Sequence, residues 1–152
     1  MIHHQTPFSV LIVEDEAVLA MDLEAIVKDC GHRVVGEAMS LPEVQTLGSL
    51  ATPDIAFVDL QLADGSSGLD VCAFIRRRWP DTAIVFVTAN LRKIPPDFCG
   101  AHGVIPKPFS RSGLLSAMRF LEEGLTDPPP TCGQPASFVP APHIATLWSH
   151  LS

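Results

Sequence analysis

The sequence predicts an α/β protein built on a doubly wound, five-stranded parallel sheet. Short apolar runs recur at Phe8–Val13, Arg33–Ala38, Ile55–Leu60, Ala83–Thr88 and Val104–Ile105, and such runs suit strands buried on both faces. Between most of them apolar residues return at helical spacing, and strands alternating with helices give a parallel sheet covered on both sides. Polar residues able to do chemistry gather where the strands end.

The first strand, FSVLIV, ends in three acids, Glu14, Asp15 and Glu16. Leu19, Leu23, Ile26 and Cys30 come next on one helical face, and Gly31 stops that helix. After the second strand, Ser40 and Glu43 form a capping box with Pro42 inside the first turn, opening a helix to about Leu50. The third strand carries Asp59. A loop with Gly65 and Gly68 leads to a cap at Ser67 and Asp70 and a helix to Trp79, which Pro80 ends. Beyond the fourth and fifth strands, Leu114, Met118, Leu121 and Leu125 mark a helix over 110–125.

The crossover between the fourth and fifth strands breaks the pattern. Pro95 and Pro96 stand where its helix should run, and a proline in a helix interior costs about 3 kcal/mol. Each also turns the preceding residue away from helical ψ. Leu91–Ile94 offers about one turn before them, and Gly100 ends any turn begun after them. The fourth helix of the fold is therefore expected to be missing or reduced to a stub. Leu91, Ile94 and Phe98 then have a weak claim on the core, and 91–100 should be its most mobile part.

Composition narrows the function. A chain of 152 residues that is 47% hydrophobic can bury a real core. Its net charge of −7 argues against a nucleic-acid partner. The basic run Arg76–Arg78 falls at a helix end and reads as dipole compensation. Cys30, Cys72, Cys99 and Cys132 show no metal-ligand spacing, as in a reduced, cytoplasmic chain. No stretch reaches the roughly 18 apolar residues of a membrane span, and His3-His4 reads as a solvated end. Two parts are expected: a domain over 8–125 and a proline-rich tail over 126–152. The tail begins stiff and extended to about residue 141. It ends in a short helix whose Ile144, Leu147, Trp148 and Leu151 share a face. That face should dock on its own domain or on a partner subunit, the second giving a homodimer.

In an open parallel sheet the reactive crevice lies outside the carboxyl ends of the strands. Glu14, Asp15, Asp59, Thr88 and Lys107 stand at those ends. Chain leaving a core becomes polar anyway, so no one of them is telling; all five on one rim are. Three close carboxylates repel and call for a divalent cation. All-oxygen ligands favour magnesium, or manganese as another hard ion. Lys107 and Thr88 could then hold oxygens of a phosphoryl group, with Asp59 as the nucleophile of an in-line displacement.

LIVEDE at 11–16, VDLQL at 58–62, VTAN at 87–90 and KPF at 107–109 resemble the receiver domain of two-component response regulators, in order across residues 8–125. The resemblance implies strand order 2-1-3-4-5. It implies that Asp59 accepts a phosphoryl group from a sensor histidine kinase or a histidine phosphotransfer protein. Glu14, Asp15, Asp59 and the Gln61 carbonyl would hold the magnesium, and Thr88 and Lys107 would contact the phosphoryl group. Gln61 and Asn90 match the positions that tune phosphate lifetime. Position 104 matches a switch residue that is often aromatic, and Val104 has no ring to swing. With the fourth helix reduced as well, the usual output face is altered, and the chain is similar to atypical stand-alone receivers, including LovR-type proteins. Output would be through protein contact, or by draining phosphate from a kinase as a sink. Such a chain is not an enzyme. Two alternatives stay open: a silent pseudo-receiver, against which the retained acids argue, and an aspartyl-phosphate phosphatase. Phosphatases of that kind usually carry a second acid where this chain has Gln61.

Overall fold

The computed structural model describes residues 6–151, so His3 and His4 lie outside the described residues. The chain runs β1 (Ser9–Val13), α1 (Ala17–Asp29), β2 (Arg33–Ala38), α2 (Leu41–Thr46), β3 (Ile55–Asp59), α3 (Gly68–Arg78) and β4 (Ala83–Thr88). Two short 3-10 turns come next, Leu91–Lys93 and Phe98–Gly100, and then β5 (Gly103–Pro106), α4 (Arg111–Thr126), β6 (Val139–Pro140) and α5 (Pro142–Leu151). The strands form one sheet in the order β2-β1-β3-β4-β5-β6. The first five are parallel, as expected, and the sixth is antiparallel to β5.

Successive side chains on a strand face opposite sides, and this divides the core in two. Val10, Ile12, Phe57, Val85 and Ile105 pack with Leu23, Ile26, Leu114 and Leu121 from α1 and α4. Leu11, Val13, Ala56, Val58, Ile84 and Phe86 pack with Val71, Ile75 and Trp79 on the other face. Each large side chain so buried is worth about 1.5–3 kcal/mol.

The caps predicted at Ser40 and Ser67 form: Ser40 Oγ accepts the Glu43 N–H at 3.3 Å and Ser67 Oγ accepts the Leu69 N–H at 3.1 Å. The α2 helix stops at Thr46, short of the expected Leu50. The next residues form turns, with Gly48 N–H donating to Gln45 O and Leu50 N–H to Leu47 O.

Between β4 and β5 no helix exceeds one turn. The expectation for the side chains there is only partly met. Leu91 is 45% exposed, whereas Ile94, Phe98 and Cys99 pack against the core, and Phe98 touches both halves of it. The cause is a left-handed bend. Phe98, Cys99 and Gly100 all have positive φ, at 53°, 51° and 80°, which folds the segment back onto α3. Left-handed backbone costs about 1–2 kcal/mol per non-glycine residue. The bend is held from both sides: Arg76 donates to the Cys99 carbonyl at 2.9 Å, and Asp97 Oδ1 accepts the Cys99 N–H at 3.0 Å.

The segment after α4 ends its extended run in β6. Of the four apolar residues expected to dock from α5, Ile144 and Trp148 are buried while Leu147 and Leu151 stay about half exposed. The difference reflects a narrow landing site: the indole of Trp148 fills the notch at Gly124, so only the i, i+4 pair nearest α4 is covered.

Candidate functional site

The β1 and β3 strands are central, so their carboxyl ends lie side by side, with Val13 opposite Val58. This brings Glu14 and Asp59 together. Both are buried, at 4% and 5% exposure. Lys107 comes just after β5 and turns its side chain into the same rim, where its Nζ lies 3.0 Å from Glu14 Oε1 and 3.2 Å from Asp59 Oδ2. Its backbone N–H donates to the Thr88 carbonyl at 2.9 Å, fixing where the side chain starts. The other oxygen of Asp59, Oδ1, accepts the Gln61 N–H at 3.1 Å. Thr88 is 3% exposed, and its Oγ1 accepts the Asn90 N–H at 3.0 Å. That bond leaves the hydroxyl hydrogen for another acceptor.

The electrostatics of the rim are strained in one direction. Burial, and after it the neighbouring Asp59, pushes the Glu14 carboxyl from 4.5 up to about 8, against the pull of Lys107. Burial pulls the Lys107 ammonium down, but Glu14 and Asp59 together outweigh it and raise its pKa. Oxygens of Glu14, Asp15 and Asp59 all lie within 4.8 Å of one another. Asp15 Oδ1 is buried with no hydrogen-bond partner, and Glu14 Oε1 meets Lys107 only as an ion pair, off the hydrogen-bond direction. Three carboxylates this close, one of them with a buried oxygen that has no hydrogen-bond partner, are what a hard divalent cation needs. The residues present fit magnesium or manganese.

Four of the expected residues thus share one cluster: Glu14, Asp15, Asp59 and Lys107. Gln61 and Thr88 adjoin it, and Asn90 reaches it through its bond to Thr88. Val104 stands apart. It is buried inside β5, where its backbone faces Phe86 on one side and Val139 on the other. Two residues carry more than the sequence suggested. Glu16, the third acid of its run, places Oε1 3.8 Å from Lys107 Nζ. Gly68 presses against the backbone of Asp59, where an added Cβ would sit 2.3 Å from the Asp59 carbonyl oxygen. Only glycine lets the loop after β3 close so tightly. The signal for Glu16 was the unbroken acid run, whereas nothing in the sequence separates Gly68 from an ordinary loop glycine.

The family model for the response regulator receiver domain matches residues 10–119. The Phyllosphere-induced regulator PhyR of Methylorubrum extorquens is 42% identical over 81 residues, 53% of this chain and 30% of that protein. The transcriptional regulatory protein PdtaR of Mycobacterium tuberculosis is 32% identical over 114 residues, 74% of this chain and 55% of that one. The chain therefore spans about half, or less, of the length of these relatives. Among solved structures, the receiver domain of Erythrobacter litoralis PhyR superposes with a TM-score of 0.65 at 29% identity, covering 81% of this chain and 95% of that one. A CheY-like receiver domain protein from Methanospirillum hungatei reaches 0.67 at 21% identity over 79% and 94% of the two chains, which speaks for the fold alone. The strand order, the acid rim with its lysine and a family match over most of the length converge: the chain belongs to the response regulator receiver domains.

Proposed function

We propose that Asp59 accepts a phosphoryl group from a phosphohistidine on a sensor histidine kinase or a histidine phosphotransfer protein. The observation that carries this reading is the Asp59 carboxylate, buried yet poised 3.2 Å from Lys107 beside the orphaned Asp15 oxygen. An Asp59 oxygen attacks phosphorus in line, a P–O bond forms, and the P–N bond breaks with its electron pair returning to the imidazole. A magnesium or manganese ion held by Glu14, Asp15, Asp59 and the Gln61 carbonyl would supply positive charge to offset the carboxylates and the phosphoryl oxygens. Lys107 gives its ammonium to one phosphoryl oxygen, and Thr88 donates its hydroxyl hydrogen to another. Gln61 and Asn90 flank the group as amides. They orient water without deprotonating it, which makes them tuning positions for phosphate lifetime.

On this reading residues 8–125 are the receiver and 126–152 its tail, acting in the cytoplasm, where kinases deliver phosphate and the four unpaired cysteines stay reduced. No helix among the described residues is long and apolar enough to cross a membrane. Output is through protein contact or as a phosphate sink. A similar protein from Bartonella quintana is named an anti-anti-sigma factor, at 32% identity over 70% of this chain, and this supports contact with another protein. The test is incubation with a small-molecule phosphodonor and magnesium, then intact mass. A phosphoryl mass gain is expected in the parent and none in Asp59→Asn. A variant that labels as well as the parent overturns the assignment.

A further inference from the structure

The strand that ends at Lys107 is bonded along both edges. On one side β5 pairs with β4, Pro106 opposite Thr88. On the other it pairs with the tail, Val104 opposite Val139 and Gly103 opposite Pro140. The receiver is shaped to take that tail. An added Cβ on Gly103 would meet the Phe138 ring at 2.6 Å, and one on Gly124 would meet the Trp148 ring at 2.4 Å. Phe138 is fully buried, and Phe120 of α4 lies between it and Trp148, tilted to the first ring and edge-on to the second, with ring centroids 5.6 and 5.5 Å away. Nearer the site, Ser137 Oγ donates to the Gly113 carbonyl at 2.6 Å. Pro135, Ala136 and Ser137 face Pro106, Pro108 and Phe109 across an open groove.

We propose that residues 135–151 are a releasable strap that reads the state of Asp59 through β5. This rests on Asp59 being the phosphoacceptor. In the free protein Lys107 is held by Glu14 and Asp59. A phosphoryl group on Asp59 moves negative charge outward onto new oxygens, and the ammonium has to track it. Lys107 is one residue past the last residue of β5, so its displacement pulls on the strand that bears the tail. Two other routes are narrowed in this chain: Val104 has no ring to rotate, and between β4 and β5 the Cys99 carbonyl is tied to α3 by Arg76. The strap is also built to open. Its ladder is two residue pairs long, extended by the Ala141 N–H donating to the His102 carbonyl at 2.8 Å, and Pro140 has no N–H to add to it. Its hinge is the proline-rich stretch after α4, so leaving does not disturb the parallel sheet. Release uncovers the edge of β5 and the aromatic face of α4 around Phe120, a surface fitted to an extended segment joined to a short apolar helix.

The experiment is hydrogen exchange on the full chain with magnesium, with and without beryllofluoride as phosphoryl mimic, alongside phosphodonor labelling. Exchange over 138–151 and at the edge of β5 is expected to rise about tenfold or more, and Asp59→Asn should abolish the rise. Gly124→Ala should open the strap with no mimic present while leaving Asp59 labelling intact. If that variant folds poorly, Ser137→Ala removes only the bond to Gly113 and should raise basal exchange of the strap more modestly. Unchanged protection of 138–151 in a chain whose Asp59 does label overturns the strap and leaves the phosphoacceptor reading standing. Failure to label Asp59 removes the trigger, and both fall together.

Discussion

Glu14, Asp59 and Lys107 set two carboxylates against one ammonium in a space almost closed to water, and burial, with Asp59 beside it, pushes the Glu14 carboxyl up to about 8. Neutralising Asp59 should relieve it. Asparagine keeps an oxygen acceptor for the Gln61 N–H or for Lys107 but drops the charge that opposes Glu14. In chelator, Asp59→Asn is expected to gain on the order of 1 kcal/mol, in the range of other strain-relieving changes at functional sites, while losing all labelling. Denaturant unfolding measures it, and a lower midpoint for the variant would mean the Asp59 charge supports the fold. Gly68→Ala should go the other way. Its Cβ would press on the Asp59 backbone, which has no flexible end to yield, so about 1–3 kcal/mol is expected to be lost, with slower labelling. The contrast shows what a sequence carries at this scale. Asp59, Lys107 and the acids were legible as a set, because the ends of several neighbouring strands carry them to one rim. Gly68 was not, because its importance is a distance to backbone and not a chemical property.

The element between β4 and β5 was legible for what it lacks and illegible for what it does. Adjacent prolines forbid a helix by their own geometry, so the missing element could be read directly. The return of Ile94 and Phe98 to the core depends on a left-handed bend at Phe98 and Cys99, and neither residue type announces one. Arg76 read as charge for a helix end, yet its guanidinium covers Gly100 and bonds the Cys99 carbonyl. Arg76→Ala should therefore cost about 1 kcal/mol, the usual net worth of one hydrogen bond, and raise amide exchange over 97–101 while leaving β4 unchanged. Equal exchange in variant and parent would mean the bend holds itself. The contacts of the tail with α4 and β5 should be sensitive to acid. Bonds from Cys132 and Thr131 hold Glu123 down to about 2, so its contribution is complete above 4.5 and fades as pH falls through about 2. Burial, and then His143 of α5, lowers His102. A depressed histidine adds stability above its unfolded value of 6.5 and loses it as pH falls below that. Both work in one direction, so the tail should loosen as pH falls below 6.5 through His102 and further as it falls from 4.5 toward about 2 through Glu123. The NMR signal of the Trp148 indole reports it; a signal that does not change as pH falls below 6.5 would remove His102 as a cause.

At the scale of the whole molecule, the tail decides how much of the receiver faces water. The sequence pointed to a docking helix, but β6 was hidden. A two-residue strand containing proline has no periodicity, and it exists because β5 would otherwise be a free edge. Truncation after Thr126 removes Phe138, Ile144 and Trp148, all buried, each worth about 1.5–3 kcal/mol against water. Backbone entropy lost in ordering the tail opposes that burial, and the net loss expected is about 2–4 kcal/mol, a large share of the roughly 5–15 kcal/mol that holds a typical domain together. The shortened chain also uncovers Phe120 beside an unpaired strand, an apolar patch next to a sheet edge, which is how receivers without such cover would find a second copy. Truncation should thus lower the unfolding midpoint and raise the mass seen by light scattering, two changes with one cause. If the midpoint falls while the mass does not change, the tail only stabilises. If neither moves, the packing of Phe138 and Trp148 contributes nothing to the folded state, and the strap has no hold to release.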